Sequence, residues 1–296
     1  MQKYSFDTIG THLIISIDTS DDVSSLFLHI RERLSSFEER FSRFIESNWL
    51  HDLIRSRHAI LDDDAEKMIL FALFLARSTD GYFDPTISKR LSELWYGNAK
   101  LSSGIRNQRS QYGDYRDIEI KWSEVILHGD ILLEFWWVGK GYLIDVIHVM
   151  VAEHFSSTWN ISRYLINFGG DLYGKWGWRV GLESPFVSDE VIGIFGLEDD
   201  FFACSAGTKR KWGYHHHLID PHTGEPAREV VASYIEVSGD QESGGMIADA
   251  YATTLCVMPW DLATYTLEKT PAISGVIVKY DGVLFRKDGS RSEVFS

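Results

Sequence analysis

The chain has 296 residues, and its 43 Asp and Glu outnumber its 29 Lys and Arg, leaving a formal charge of −14. That balance excludes broad nucleic-acid binding and docking on anionic membranes, which need a Lys/Arg surplus, but permits one small anionic ligand with a local positive charge. A hydrophobic content of 44%, with 10 Trp, 13 Tyr and 17 Phe, excludes a disordered chain, and two cysteines are too few for a disulfide framework or a structural zinc site.

The length fits one large domain or two modest ones. Residues 1–11 carry an early Asp7 and no apolar core segment, so they do not read as a secretory signal. The longest apolar stretch, 69–76, falls far short of the ~20 residues that span a bilayer. A cytoplasmic protein without membrane insertion is the expectation.

In chain order, residues 12–18 alternate weakly and are rich in Ile, which predicts a first strand. Asp21 or Asp22 can cap a long amphipathic helix in which Val23, Leu26, Leu28, Ile30, Leu34, Phe37, Phe41 and Phe44 recur at helical spacing. Acidic residues 62–64 open a second helix over 65–78, at the positive end of its dipole. Strands are predicted at 118–127 and 131–138, then a helix over 139–155. Further strands are predicted at 164–168, 178–182, 191–195 and 230–237, followed by a helix over 246–258. A closing hairpin, 273–280 with 283–286, turns at Asp281-Gly282. Helices and strands alternate without a βαβ rhythm, so the expected class is α+β, with mixed or antiparallel sheets.

Four segments can carry chemistry. Asp249 and Thr253, at i and i+4 of a helix, share a face and present a carboxylate and a hydroxyl, donors suited to a hard cation such as Mg²⁺. The alternative is an Asp near a helix start, favoured only by the dipole. His215-His216-His217 leads into a turn, Asp220-Pro221-His222-Thr223-Gly224, and lacks metal-ligand spacing; it is either a general base or a solvated cluster. Gly139-Lys140-Gly141, Gly169-Gly170-Asp171 and Ser205-Ala206-Gly207-Thr208 are small-residue turns that let a phosphate approach the main chain. The first is neither a P-loop nor a dinucleotide fingerprint. Residues 79–86 read as a helix exit through Gly81 and a turn, leaving Tyr82 and Phe83 free to face an aromatic ring.

Taken in order, these segments resemble the ApbE family of Mg²⁺-dependent FAD:protein FMN transferases. The chain matches the family's motifs with Ile9-Gly10-Thr11, Ser47-Asn48-Trp49, Asp80-Gly81-Tyr82-Phe83-Asp84-Pro85-Thr86 and Glu134-Phe135-Trp136-Trp137-Val138-Gly139-Lys140-Gly141-Tyr142 with Asp145. It continues with Asn167-Phe168-Gly169-Gly170-Asp171, Ser205-Ala206-Gly207, His217-Leu218-Ile219-Asp220-Pro221 with Thr223-Gly224, and Ala248-Asp249-Ala250-Tyr251-Ala252-Thr253.

The resemblance implies one α+β domain over 1–296, with two lobes around a central cleft. It implies Mg²⁺ held by Asp249, Thr253 and a main-chain oxygen near Trp137. FAD, as substrate, would lie along Ile9, Ser47, Tyr82, Phe83, Asp84, Glu134, Lys140, Gly169, Gly170, Asp171 and Leu218. His217 and Asp249 would be catalytic, and FMN would pass from FAD to a Thr or Ser hydroxyl of an acceptor protein, releasing AMP. FAD hydrolysis to FMN and AMP, or FAD binding without turnover, are the alternatives. Four positions depart from the pattern. Trp136-Trp137 stands where the family has small residues and would crowd the pocket, Glu134 replaces Asp, and Asn48 replaces an acid.

Overall fold

A computed structural model describes residues 1–94, 113–156, 160–208, 211–212 and 215–295. A first hairpin, β1 (Gln2–Thr8) and β2 (Thr11–Asp18), leads into α1 (Ser24–Phe41) and α2 (Trp49–Ser56). Then come β3 (His58–Ile60), α3 (Asp63–Ser78), α4 (Ser88–Glu93), β4 (Ile118–Lys121), β5 (Glu124–Leu127) and α5 (Trp136–Phe155). The next strands are β6 (Arg163–Phe168), β7 (Asp171–Glu183) and β8 (Val191–Ala206). Four short strands follow: β9 (Lys211–Trp212), β10 (His215–His216), β11 (Ile219–Asp220) and β12 (Glu225–Pro226). The chain ends with β13 (Val230–Ser238), α6 (Gly244–Val257), α7 (Trp260–Lys269), β14 (Ser274–Lys279), β15 (Leu284–Arg286) and β16 (Ser292–Val294).

The large sheet runs β1-β2-β6-β7-β8-β13-β14-β15, with β16 pairing β8, and a second sheet runs β3-β5-β4. Every described pairing is antiparallel. The α+β class is therefore as expected, with antiparallel rather than mixed sheets.

Strand alternation divides the large sheet's two faces. Phe201 joins the main core with Ile15, Ile166 and the α5 residues Ile144 and Ile147, whereas its neighbour Phe202 joins a smaller core with Leu182, Phe195 and Val276. α5 and α6 cover the first face. Their contact is unusually close: a Cβ on Gly141 would lie 2.2 Å from the Gly245 carbonyl oxygen, so only glycine permits this crossing.

Local expectations fare unevenly. α3 starts where acidic residues mark it, with the Asp62 side chain accepting from Ala65 N at 3.0 Å. α1 ends at Phe41, and Phe44 lies beyond it, 69% exposed. The strand expected at 118–127 is two strands joined at Trp122-Ser123, where Trp122 takes a φ of 56°. The strand expected at 131–138 does not form: residues 131–135 are irregular and α5 begins at Trp136, three residues before its expected start. A run of aromatic and aliphatic residues is buried equally well by either structure, so period alone could not decide.

Candidate active site

Two turns meet at one end of the large sheet. Ile9-Gly10 joins β1 to β2 with φ of 52° and 69°, and Gly169-Gly170 joins β6 to β7 with φ of 65° and 100°. Gly169 N donates to the His12 carbonyl at 3.1 Å, locking the two turns together. A Cβ on Gly169 would fall 2.3 Å from Thr11 Oγ1, so this turn also needs glycine. β7 begins here with Asp171, and β8 ends beside it at Ser205 and Ala206.

Beneath these turns, α5 and α6 supply a buried charge cluster. Lys140 Nζ donates to Asp171 Oδ2 and lies 3.4 Å from Asp249 Oδ1. Asp171 and Asp249 are 2% and 3% exposed. Burial pushes the Asp249 carboxyl above its usual range, and the Lys140 ammonium opposes the rise. Gly141 N donates to Asp249 Oδ2 at 3.0 Å. In a regular helix that N–H points to the carbonyl of residue 137, so the Trp137 oxygen does not have this donor to itself. One turn along α6, Thr253 Oγ1 lies 3.1 Å from Ser205 Oγ.

This donor set fits a hard divalent cation. Two carboxylates share one ammonium, leaving net negative charge out of water, and the neighbouring donors are hydroxyl and carbonyl oxygens. Among the described residues no group of three or more His, Cys, Asp or Glu side chains could hold a metal, so a cation would rest on Asp249 with neutral oxygens.

A cavity of about 420 Å³ opens beside Lys140, walled by Phe37, Phe41, Phe44, Phe135 and Trp136 and edged by Ile9, Arg43 and Glu134. Its size and aromatic walls suit a planar heterocycle. Glu134, 7% exposed, pairs with Arg43 Nη1 at 3.0 Å, and burial raises its carboxyl against that pairing.

The other expected ligand residues lie elsewhere. Tyr82 packs on His222, ring centroids 4.2 Å apart, while Phe83 is 4% and Leu218 1% exposed. Asp84 is held by its own turn: its Oδ1 accepts from Thr86 N at 2.8 Å and Thr86 Oγ1 at 2.7 Å. Desolvation raises the Asp84 carboxyl to about 6. Tyr82, Phe83 and Asp84 border a small void of about 10 Å³ together with Trp137 and Thr253. Trp136 and Trp137 stack with centroids 3.8 Å apart, so one indole faces the open cavity and the other fills the Thr253 side. The buried Trp137 Nε1 has no acceptor among the described residues. His217, 8% exposed, lies behind Trp136 at 5.9 Å between ring centroids.

Ser47 is exposed with a φ of 66° and lines none of these spaces, whereas its neighbour Asn48 caps α2 by accepting from His51 N at 2.9 Å. The main-chain anion site expected at Gly139-Lys140-Gly141 is corrected. The segment lies inside α5, Gly139 N donates to the Phe135 carbonyl at 2.6 Å, and Gly141 N donates to Asp249. Lys140 alone of that motif offers charge. Residues not foreseen at the site are Ser205 as Thr253's neighbour, Arg43, and the α1 aromatics. Helical spacing had marked Phe37 and Phe41 as core, which no sequence signal separates from cavity wall.

The sequence model of the ApbE family matches residues 9–277. Curated relatives named FAD:protein FMN transferase include one from Treponema pallidum, 20% identical over 254 residues, covering 75% of this chain and 67% of the relative. Others come from Klebsiella pneumoniae, 23% identical over 49% of this chain, and Vibrio cholerae, 26% identical over 51%. The chain spans 45% and 46% of those two relatives' lengths. Similar solved structures include an ApbE protein from Thermotoga maritima (TM-score 0.81, 22% identity, 97% of each chain) and the flavin transferase ApbE from Vibrio cholerae (TM-score 0.81, 21% identity, 97% of each chain). At such identities the structural likeness establishes the fold. With the sequence model spanning most of its length, the chain belongs to the ApbE family.

Proposed function

We propose that this chain is a Mg²⁺-dependent flavin transferase that moves FMN from FAD to a Thr or Ser hydroxyl of an acceptor protein and releases AMP. The observation that carries the reading is the buried Lys140–Asp171–Asp249 cluster, with Thr253 one turn beyond, opening beside an aromatic cavity of about 420 Å³. The relatives named FAD:protein FMN transferase supply the reaction class.

In this reading the flavin ring lies against Phe41, Phe44 and Trp136, with Ile9 and Glu134 at its edge. Asp249, Thr253 Oγ1 and the Trp137 carbonyl would hold Mg²⁺, whose charge would offset that of the diphosphate during in-line displacement. Lys140 offers its ammonium to a phosphate oxygen while Asp171 keeps it oriented. The Gly169-Gly170 turn lets the nucleotide approach the main chain. Phe83 and Asp84 border the space beside Tyr82, with Leu218 buried, and Ser47 would reach the ligand only from its exposed turn before α2. The acceptor hydroxyl attacks the FMN-side phosphorus, its oxygen forms the new ester bond, and the bond to the AMP oxygen breaks. His217, beside Trp136, takes the hydroxyl proton.

Residues 1–296 act as one catalytic unit, since one core cluster runs from Leu13 to Ile277. Neither cysteine forms a disulfide among the described residues, which supports a cytoplasmic reading, and no described helix is long and apolar enough to cross a membrane. The test is incubation with FAD, Mg²⁺ and a substrate carrying a flavinylation motif, read by mass spectrometry. A phosphoester-linked FMN with equimolar AMP is expected. AMP and free FMN without modified substrate would make the chain a hydrolase, and bound FAD without AMP a binding protein.

A further inference from the structure

We propose that Asp145 is a positioning residue for the Asp249–Thr253 pair, acting as the N-terminal cap that α6 does not carry in its own sequence. The inference rests on the metal reading above and adds to it a residue to which that reading gives no role.

A helix start leaves its first N–H groups without intrahelical partners, and a side-chain oxygen just before the helix usually takes them. At α6 that position is Ser243, which has a φ of 60° and makes no side-chain cap bond. The acceptor comes instead from the third turn of α5. Asp145 Oδ1 accepts from Gly245 N at 2.7 Å, and Oδ2 accepts from Met246 N at 3.0 Å. Both carboxylate oxygens are thereby fixed on two successive donors, setting the rotation and axial position of α6 relative to α5.

The return bond runs the other way: Gly141 N of α5 donates to Asp249 Oδ2 of α6 at 3.0 Å. Asp145 lies one turn beyond Gly141, and Asp249 one turn beyond Gly245, so the two carboxylates clamp the crossing from opposite sides. A Cβ on Gly245 would sit 2.5 Å from the Gly141 carbonyl and 2.9 Å from Asp145 Oδ1. With no side chain between the helices, a shift at the cap passes directly to Asp249 and then to Thr253. Residues that fix a metal ligand without touching the metal commonly govern about 10–100-fold of metal affinity.

The isosteric Asp145→Asn is the direct test, because an amide accepts one of these N–H groups and turns its own N–H toward the other. Mg²⁺ alone is titrated into wild type and variant by calorimetry, with the folded fraction set by near-ultraviolet circular dichroism. FAD turnover is then measured against Mg²⁺ concentration. The expected result is a Mg²⁺ dissociation constant raised about 10–100-fold and a lower kcat at fixed Mg²⁺, with KM for FAD changed less than about twofold. Asp145→Glu keeps the charge with one added methylene, serves if the amide variant folds poorly, and is expected to lose less affinity. An unchanged Mg²⁺ affinity in a folded Asp145 variant overturns the positioning role alone. A wild-type protein that binds no Mg²⁺ overturns this proposal together with the metal reading.

Discussion

Lys140 stands between two carboxylates that are nearly inaccessible to water, and one ammonium cannot neutralise both. Asp171 takes the close contact, leaving Asp249 with the longer one and a backbone N–H. Such a carboxylate is costly to ionise unless a further cation arrives, which is why this position suits a metal ligand better than a structural pair. Asp145 faces a related cost. Its desolvation raises the carboxyl to about 7, against the two N–H groups that favour the charged form. Because the folded pKa exceeds the unfolded value of about 3.9, this group favours folding most fully below pH ~4 and loses that contribution as pH rises through 7. Between those limits the stability of wild type relative to Asp145→Asn should fall by about 1.4 kcal/mol per pH unit, measured by urea unfolding of the metal-free proteins. A pH-independent difference would contradict the assignment. Asp249 and Thr253 were legible in the sequence because i, i+4 spacing on a helix guarantees a shared face. Ser205 was marked as part of a small-residue turn, but its pairing with Thr253 was not legible, since it arrives from a strand 48 residues away and only sheet order brings the two together.

At the scale of elements, the site depends on α5 starting early and crossing α6 closely. The sequence put Gly139-Lys140-Gly141 at the opening of a helix after an apolar strand, where main-chain N–H groups and Lys140 could meet a phosphate. In the structure these glycines are helical, and the value of Gly141 lies in what it omits. Gly141 carries no side chain to separate the helices, whereas a Cβ on Gly139 would make only ordinary contact with the Phe37 ring at 3.7 Å. Gly141→Ala should therefore cost about 1–3 kcal/mol, read as a lower urea midpoint, and should weaken Mg²⁺ binding even where the protein remains folded. Full retention of both would mean that the helices part without consequence for Asp249. The Trp136-Trp137 pair belongs to the same element. Its presence was plain in the sequence, but its effect was not: the stacked indoles leave the Phe41–Phe44 side open and reduce the Tyr82–Asp84 side to about 10 Å³. Two residues expected to share one ligand surface, Ile9 and Tyr82, border separate spaces.

Across the whole molecule, the ordered motifs carried the class and family further than any periodic pattern did. Strands 6, 7, 8 and 13 appeared at least in part, yet β1 was missed: its Tyr4 and Phe6 lie half-buried on an edge strand, a short and weak alternation. What sequence could not supply was the sheet order, which gathers the Ile9-Gly10 and Gly169-Gly170 turns, Asp171 and Ser205 at one end. The formal charge of −14 is compatible with the proposed reading, in which positive charge for a diphosphate would be needed only locally, at Lys140, Arg43 and Mg²⁺. The central claim is that Asp249 holds the cation that makes transfer possible, so wild type and Asp249→Ala should be compared for FMN transfer from FAD at saturating Mg²⁺. The account predicts that wild type yields phosphoester-linked FMN while the variant, still folded, loses at least about a hundredfold in rate and no longer responds to Mg²⁺. A variant that transfers FMN as fast as wild type, with the same Mg²⁺ dependence, would contradict it.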